Sequence, residues 1–234
     1  MLGWLFMSQW DAIYARLQTE NALELSGQQR EGTAWIDEFL PLLGTPTGES
    51  LDVGCGMGSD MIRYAELGWQ PTGIDLSTRA VEHVNSLGFP AHTADMSKAL
   101  PLENERFHLV TGRCSLHFLP PAQTRELYAE LHRVLKPGGR LLFIVNSEQH
   151  RAQGLQYDYQ GAKRLDQHYW ELPAINRRYL FYTLDLARDL LANGWDILHL
   201  DERPFKQWGI EKRVIACVAE RLETPKQRQG AALD

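Results

Sequence analysis

The chain has 234 residues, 44% hydrophobic and 23% charged, with a formal net charge of −6. That length suffices for one sizeable core, and the ordinary globular balance excludes disorder over most of the chain. No Lys/Arg run offers a wide nucleic-acid footprint, and the scattered Cys55, Cys114 and Cys217 offer neither a disulfide framework nor a zinc site.

The apolar start, residues 1–7, lacks a basic n-region and is too short for a signal core or a membrane span, so a cytoplasmic protein is expected. Residues 10–17 (WDAIYARL) put Trp10, Ile13, Tyr14 and Leu17 at helical spacing, and residues 32–43 predict a second helix with Trp35, Ile36, Phe39 and Leu40 on one face. These N-terminal helices, 1–43, are candidates for a lid.

Strand and helix signals then alternate: strand 50–53, helix 59–67, strand 70–74, helix 78–87, a weak strand 90–94, strand 107–112, helix 121–135 and strand 140–145. The alternation predicts an α/β fold, a doubly wound and mostly parallel sheet with right-handed crossovers. Lys136, Pro137, Gly138 and Gly139 read as a helix stop and turn. The rhythm breaks over 146–178, an acceptor-side insertion whose Tyr157, Tyr159, His168, Tyr169 and Trp170 either form a lid or cover the sheet. A helix at 184–193 and strands at 195–200 and 213–219 follow, the two strands read as an antiparallel edge pair. The main domain thus covers 44–220, and 221–234 is a polar tail.

The chemistry concentrates where the first strand turns into a helix, at Asp52, Gly54, Cys55, Gly56 and Gly58. Glycines there let the backbone approach a ligand because no Cβ intervenes. The spacing is G-x-G-x-G rather than the dinucleotide G-x-G-x-x-G, and Asp60 opens the next helix, where a carboxylate would repel a pyrophosphate. Acidic residues suit a cationic cofactor instead, one with a sulfonium and an ammonium but no phosphate. Asp75, followed by Leu76, ends the second strand, where a carboxylate can accept from both hydroxyls of a ribose. Asp95 ends the third strand, in reach of an adenine edge, with Met96 to pack on the ring.

The ordered runs LDVGCGMGSD, GIDLS, ADM, FHLVTGRCSLHFL and LKPGGRLLFIV resemble the motif series of class I S-adenosylmethionine-dependent methyltransferases. The resemblance spans residues 50–145 and, more loosely, 184–219. It implies a seven-stranded Rossmann-like sheet with the last strand antiparallel and S-adenosylmethionine as cofactor; the Cys and His spacing points to no metal. It sets Asp52 and the loop glycines at the methionine portion, Asp75 at the ribose, Asp95 and Met96 at the adenine, and Arg113 and Cys114 beside the cofactor. His108 stands where the family often has an acidic residue.

His117 follows the fourth strand near the expected transfer site, so it can orient or deprotonate an acceptor; the plainer reading is a hydrogen-bonding histidine at a loop start. Cys55 and Cys114 read as small packing residues, and Arg177 and Arg178 as an anion site or solvated surface. Methyl transfer is an in-line displacement that needs chiefly alignment and water exclusion. A small-molecule acceptor is expected, with no nucleic acid and no membrane. The alternatives are RNA methylation, a non-catalytic S-adenosylmethionine-binding regulator and a nicotinamide oxidoreductase.

Overall fold

The computed structural model describes residues 10–15, 34–155, 157–207 and 210–223. The glutamine-rich stretch, most of the predicted N-terminal lid and the tail from Thr224 lie outside the described residues. Residues 10–15 are helical; the predicted second helix is a 3₁₀ segment, Ala34–Phe39, that runs into one turn of α1 (Leu40–Leu43). Pro41 explains the short turn, because it fits only the first turn of a helix.

β1 (Gly48–Val53), β2 (Trp69–Asp75), β3 (Ala91–Thr93), β4 (Phe107–Arg113) and β5 (Leu135–Asn146) pair in parallel. α2 (Ser59–Leu67), α3 (Thr78–Ser86) and α4 (Pro121–Val134) make the crossovers. The expected turn at Lys136–Gly139 is absorbed into β5 as an irregularity: Phe107 pairs with Leu135 and Leu109 with Arg140. Lys136 Nζ donates to His108 Nε2 at 3.2 Å, which gives the departure at His108 a structural use.

The chain then leaves the sheet through α5 (Glu148–Ala152) for a small antiparallel sheet of β6 (Lys163–Asp166), β7 (Tyr169–Leu172) and β8 (Arg177–Leu180). The insertion expected over 146–178 is therefore an ordered sheet that reaches Leu180. α6 (Leu184–Leu190) leads back to β9 (Trp195–Gln207) and β10 (Ile210–Arg221). The main sheet has the order β3-β2-β1-β4-β5-β10-β9. β10 is antiparallel to both neighbours, so the expected antiparallel pair closes this edge with the last strand on its inner side.

Alternate residues of the central strands enter two cores. Leu141, Phe143 and Val145 pack with Leu127 and Leu131 of α4, whereas Leu142 and Ile144 pack with Trp35, Ile36, Phe39 and Tyr64. Helices therefore cover both faces, as a parallel sheet buried on both sides requires. Loops converge at the carboxyl ends of the strands, where the insertion is also tied: Leu180 N–H donates to His117 O at 2.8 Å and Tyr182 N–H to Asn146 O at 2.9 Å.

Candidate active site

β1 ends in the glycine loop. Gly54, Gly56 and Gly58 all have positive φ (75°, 52° and 78°), a conformation that L side chains rarely adopt. A Cβ on Gly54 would lie 2.5 Å from the Ser115 Cβ, and one on Gly56 would lie 3.0 Å from the Tyr14 hydroxyl. The loop is a cradle that any side chain would fill. Cys55 faces away from solvent into an apolar cluster with Met61, Val81 and Val84. Burial, with Asp52 and Asp75 adding to it, pushes its thiol up, which suits packing rather than nucleophilic attack.

Asp75 at the end of β2 reaches back into this loop. Its Oδ2 accepts from Gly56 N–H and its Oδ1 from Ser77 N–H, both at 2.9 Å. Ser77 caps α3 by accepting from Ala80 N–H at 3.2 Å, and its hydroxyl donates to Asp11. Leu76 is half-buried beside them.

Asp52 is buried below the loop and accepts from the Thr111 hydroxyl at 3.3 Å. Burial and the Asp60 carboxylate raise its carboxyl well above the usual range, against the pull of Arg113 and Thr111. Asp60, in the first turn of α2, is also buried; it accepts from Arg113 Nε at 2.6 Å and from Trp35 Nε1 at 3.3 Å. Arg113, expected beside the cofactor, locks β4 to α2 through a buried ion pair with Asp60 whose side chains are 6% and 7% exposed. Cys114 has φ 55° and its sulfur lies 3.8 Å from Lys212 Nζ.

Asp95 closes its own turn: Oδ1 accepts from Ser97 N–H at 3.0 Å and from the Ser97 hydroxyl at 2.7 Å, and Oδ2 pairs with Lys98 at 3.4 Å. Burial would raise its carboxyl, but the Ser97 bonds and Lys98 outweigh it and hold it low. Met96 is half-buried against the core.

His117 is 1% exposed, and its Nδ1 accepts from Asn146 N–H at 3.1 Å. A backbone N–H can only donate, so the Nδ1 lone pair is taken and the ring proton is on Nε2. Burial, then Lys212, His150 and Arg177, hold the imidazole neutral far below its usual range. Around it lies an aromatic wall: Phe118 at 4.7 Å and Tyr179 at 5.3 Å between ring centroids, with Tyr157 stacked on Tyr179 at 4.9 Å. Trp10 meets Phe118 at 5.3 Å and lies under the Arg177 guanidinium at 4.7 Å. Arg178 pairs with Glu171 instead.

Sequence reasoning missed Ser77, Ser115, Asn146, His150 and Lys212. Asn146 had a usable signal: it ends β5 as Asp75 ends β2, at the edge where such sheets bind ligands. His150 and Lys212 come together only through β10 crossing beside β5, which no local pattern reveals.

The methyltransferase domain family model matches residues 51–139, from β1 through the turn in β5. An uncharacterized methyltransferase of Synechocystis is 28% identical over 137 residues, covering 58% of this chain and 62% of its own length. The 27-O-demethylrifamycin SV methyltransferase of Amycolatopsis mediterranei is 32% identical over 118 residues, 47% of this chain and 43% of its own. The chain thus spans less than two thirds of either relative. A methyltransferase structure from Methanosarcina mazei superposes with a TM-score of 0.68 over 80% of this chain and 96% of that one, at 18% identity, a likeness of fold. Residues 51–139 thus match a methyltransferase domain, and the fold is shared with methyltransferase structures.

Proposed function

We propose that this chain transfers a methyl group from S-adenosylmethionine to a small-molecule acceptor. The observation that carries the reading is the glycine cradle: Asp52 and Asp75 are buried around a loop with room for backbone contact only, and Arg113 is not free to meet a phosphate there because it is bound to Asp60. Such a cradle favours a cationic ligand and opposes a pyrophosphate. Bound there, S-adenosylmethionine supplies an activated methyl group. The loop from Gly54 to Gly58 and Asp52 would hold its amino-acid end, Asp75 and Leu76 its ribose, and Met96 with the Asp95 turn its base. Cys55 and Cys114 serve as small flanking groups.

His117 acts as a fixed Nε2–H donor that orients an acceptor, because its other lone pair is engaged. The helical segment 10–15 excludes water as a lid, since Asp11 holds Ser77, Tyr14 overlies Gly56 and Trp10 bridges to the small sheet. The aromatic wall and the formal charge of −6 support a small acceptor over RNA; the Amycolatopsis relative bears the name of an enzyme acting on a rifamycin. Calorimetric titration with S-adenosylmethionine, S-adenosylhomocysteine and NAD tests the reading. Binding of the first two and not the third is expected; binding of NAD alone would overturn it.

A further inference from the structure

The glycine loop is built for a cation, yet the cofactor proposed for it also ends in an anion. Gly54 and Cys55 N–H donate to Ile74 O at 2.8 and 3.0 Å, Gly56 N–H to Asp75 Oδ2 at 2.9 Å and Gly58 N–H to Cys55 O at 3.0 Å. These donors are spent inside the protein, and Asp52 and Asp75 beside them are buried carboxylates. Arg113 is committed to Asp60. The amino-acid end of S-adenosylmethionine carries an ammonium, which suits this loop, and a carboxylate, which does not. That carboxylate needs donors from elsewhere, because a desolvated charge without partners is costly.

Two side chains above the loop offer them. The Tyr14 hydroxyl, from the segment 10–15, lies 3.0 Å from the position of a Cβ on Gly56. Burial, then Asp75 and Cys55, push it well above its usual range against the pull of Arg177, so it stays a neutral donor. Arg177, at the start of β8, stands beyond it. Its guanidinium lies 4.7 Å over the Trp10 ring, and Trp10 stacks on Tyr14 at 6.0 Å between centroids.

The contacts of Arg177 leave its charge uncompensated. Its Nη1 donates to the Tyr179 hydroxyl at 3.2 Å, and no carboxylate among the described residues pairs with it. The hydroxyl uses one donor of the fork and leaves the rest. Its neighbour Arg178 is paired with Glu171 at 2.8 Å. Successive residues of a strand point to opposite faces, so only Arg177 turns toward the segment 10–15. A half-buried guanidinium held by a hydroxyl and an indole face is fixed before a ligand arrives.

We infer that Arg177, with the Tyr14 hydroxyl, binds the carboxylate of the cofactor's amino-acid end, while the acidic loop takes the ammonium. The inference rests on the methyltransferase reading above. It makes the small sheet part of the cofactor site and not of the acceptor side alone.

The test is calorimetric titration of the full chain with S-adenosylhomocysteine and with its decarboxylated analogue, which keeps the amine. The parent should bind S-adenosylhomocysteine about tenfold tighter than the analogue. Arg177→Met should lose about that factor for S-adenosylhomocysteine and less than about twofold for the analogue, so that the two bind alike. Retained binding of the analogue also reports a folded variant. Should Arg177→Met lose its native circular dichroism, Tyr14→Phe decides by the same comparison, with a preference narrowed about threefold expected. Three outcomes would each overturn the inference and leave the methyltransferase reading standing: equal binding of both ligands by the parent, an equal loss of both in the folded variant, or an intact preference in it. The equal loss would assign Arg177 to holding Trp10 alone. Binding of neither ligand by the parent would remove the methyltransferase reading and this inference with it.

Discussion

Asp75 already accepts two backbone hydrogen bonds, so its carboxylate is held in place before any ligand arrives. Asp75→Ala should weaken S-adenosylhomocysteine binding by about 1–3 kcal/mol, measured by calorimetry; unchanged affinity would remove the ribose role. Gly56→Val should abolish binding in a protein whose circular dichroism is unchanged, because the branched side chain at φ 52° meets Tyr14. His150 makes a stability prediction. Its imidazole falls from an ordinary 6.5 to about 4, through burial and Lys212. Between those values the unfolded chain binds a proton that the folded chain refuses. Stability from this residue is therefore complete above the upper value and lost as pH falls through the window, by up to about 3 kcal/mol. Urea unfolding of His150→Gln should show a shallower loss between neutral and mildly acidic pH than the parent; parallel curves would refute the assignment.

At the scale of elements, legibility depended on length and on punctuation. The α2 signal at 59–67 gave its bounds because Gly58 and Gly68 flank it in left-handed conformations. The small sheet escaped detection because its strands are four residues long and two of its turns use left-handed His168 and Asn176 rather than glycine. Its apolar content is largely aromatic, so it read as polar and irregular when taken residue by residue. The sheet also anchors the segment 10–15 through Arg177 and Trp10. Arg177→Ala should cost under about 1 kcal/mol of overall stability but speed S-adenosylhomocysteine release severalfold in stopped flow. Unchanged release would argue that this segment is packing and not a lid.

For the whole molecule, the order of strands and helices was readable because a parallel sheet buried on both faces demands continuous apolar strands with intervening helices. The acidic cradle was readable for the same reason: its residues lie within one strand–loop–helix unit and the next strand end. The polar cluster beyond β5 was not, because it assembles Asn146, His150 and Lys212 from segments that no periodicity links. The net charge of −6 gives a global prediction. RNA binding, measured by filter retention, should be weak and lack the steep salt dependence of a phosphate-reading surface; a steep slope would revive the RNA alternative. No helix among the described residues is long and apolar enough to cross a membrane.

The hairpin of β9 and β10 pairs with β5 only from Val214 to Glu220, yet the two strands continue together to Gln207 and Ile210. The overhang, which carries Lys212, leaves the ladder with β5 and is held instead by the start of the insertion: Ser147 N–H donates to Arg213 O at 3.0 Å and Arg213 N–H to His150 Nδ1 at 3.3 Å. If the proposed methyl transfer holds, a change in this arm would alter the surroundings of His150 without touching the glycine loop, because Arg213 on the arm donates to His150.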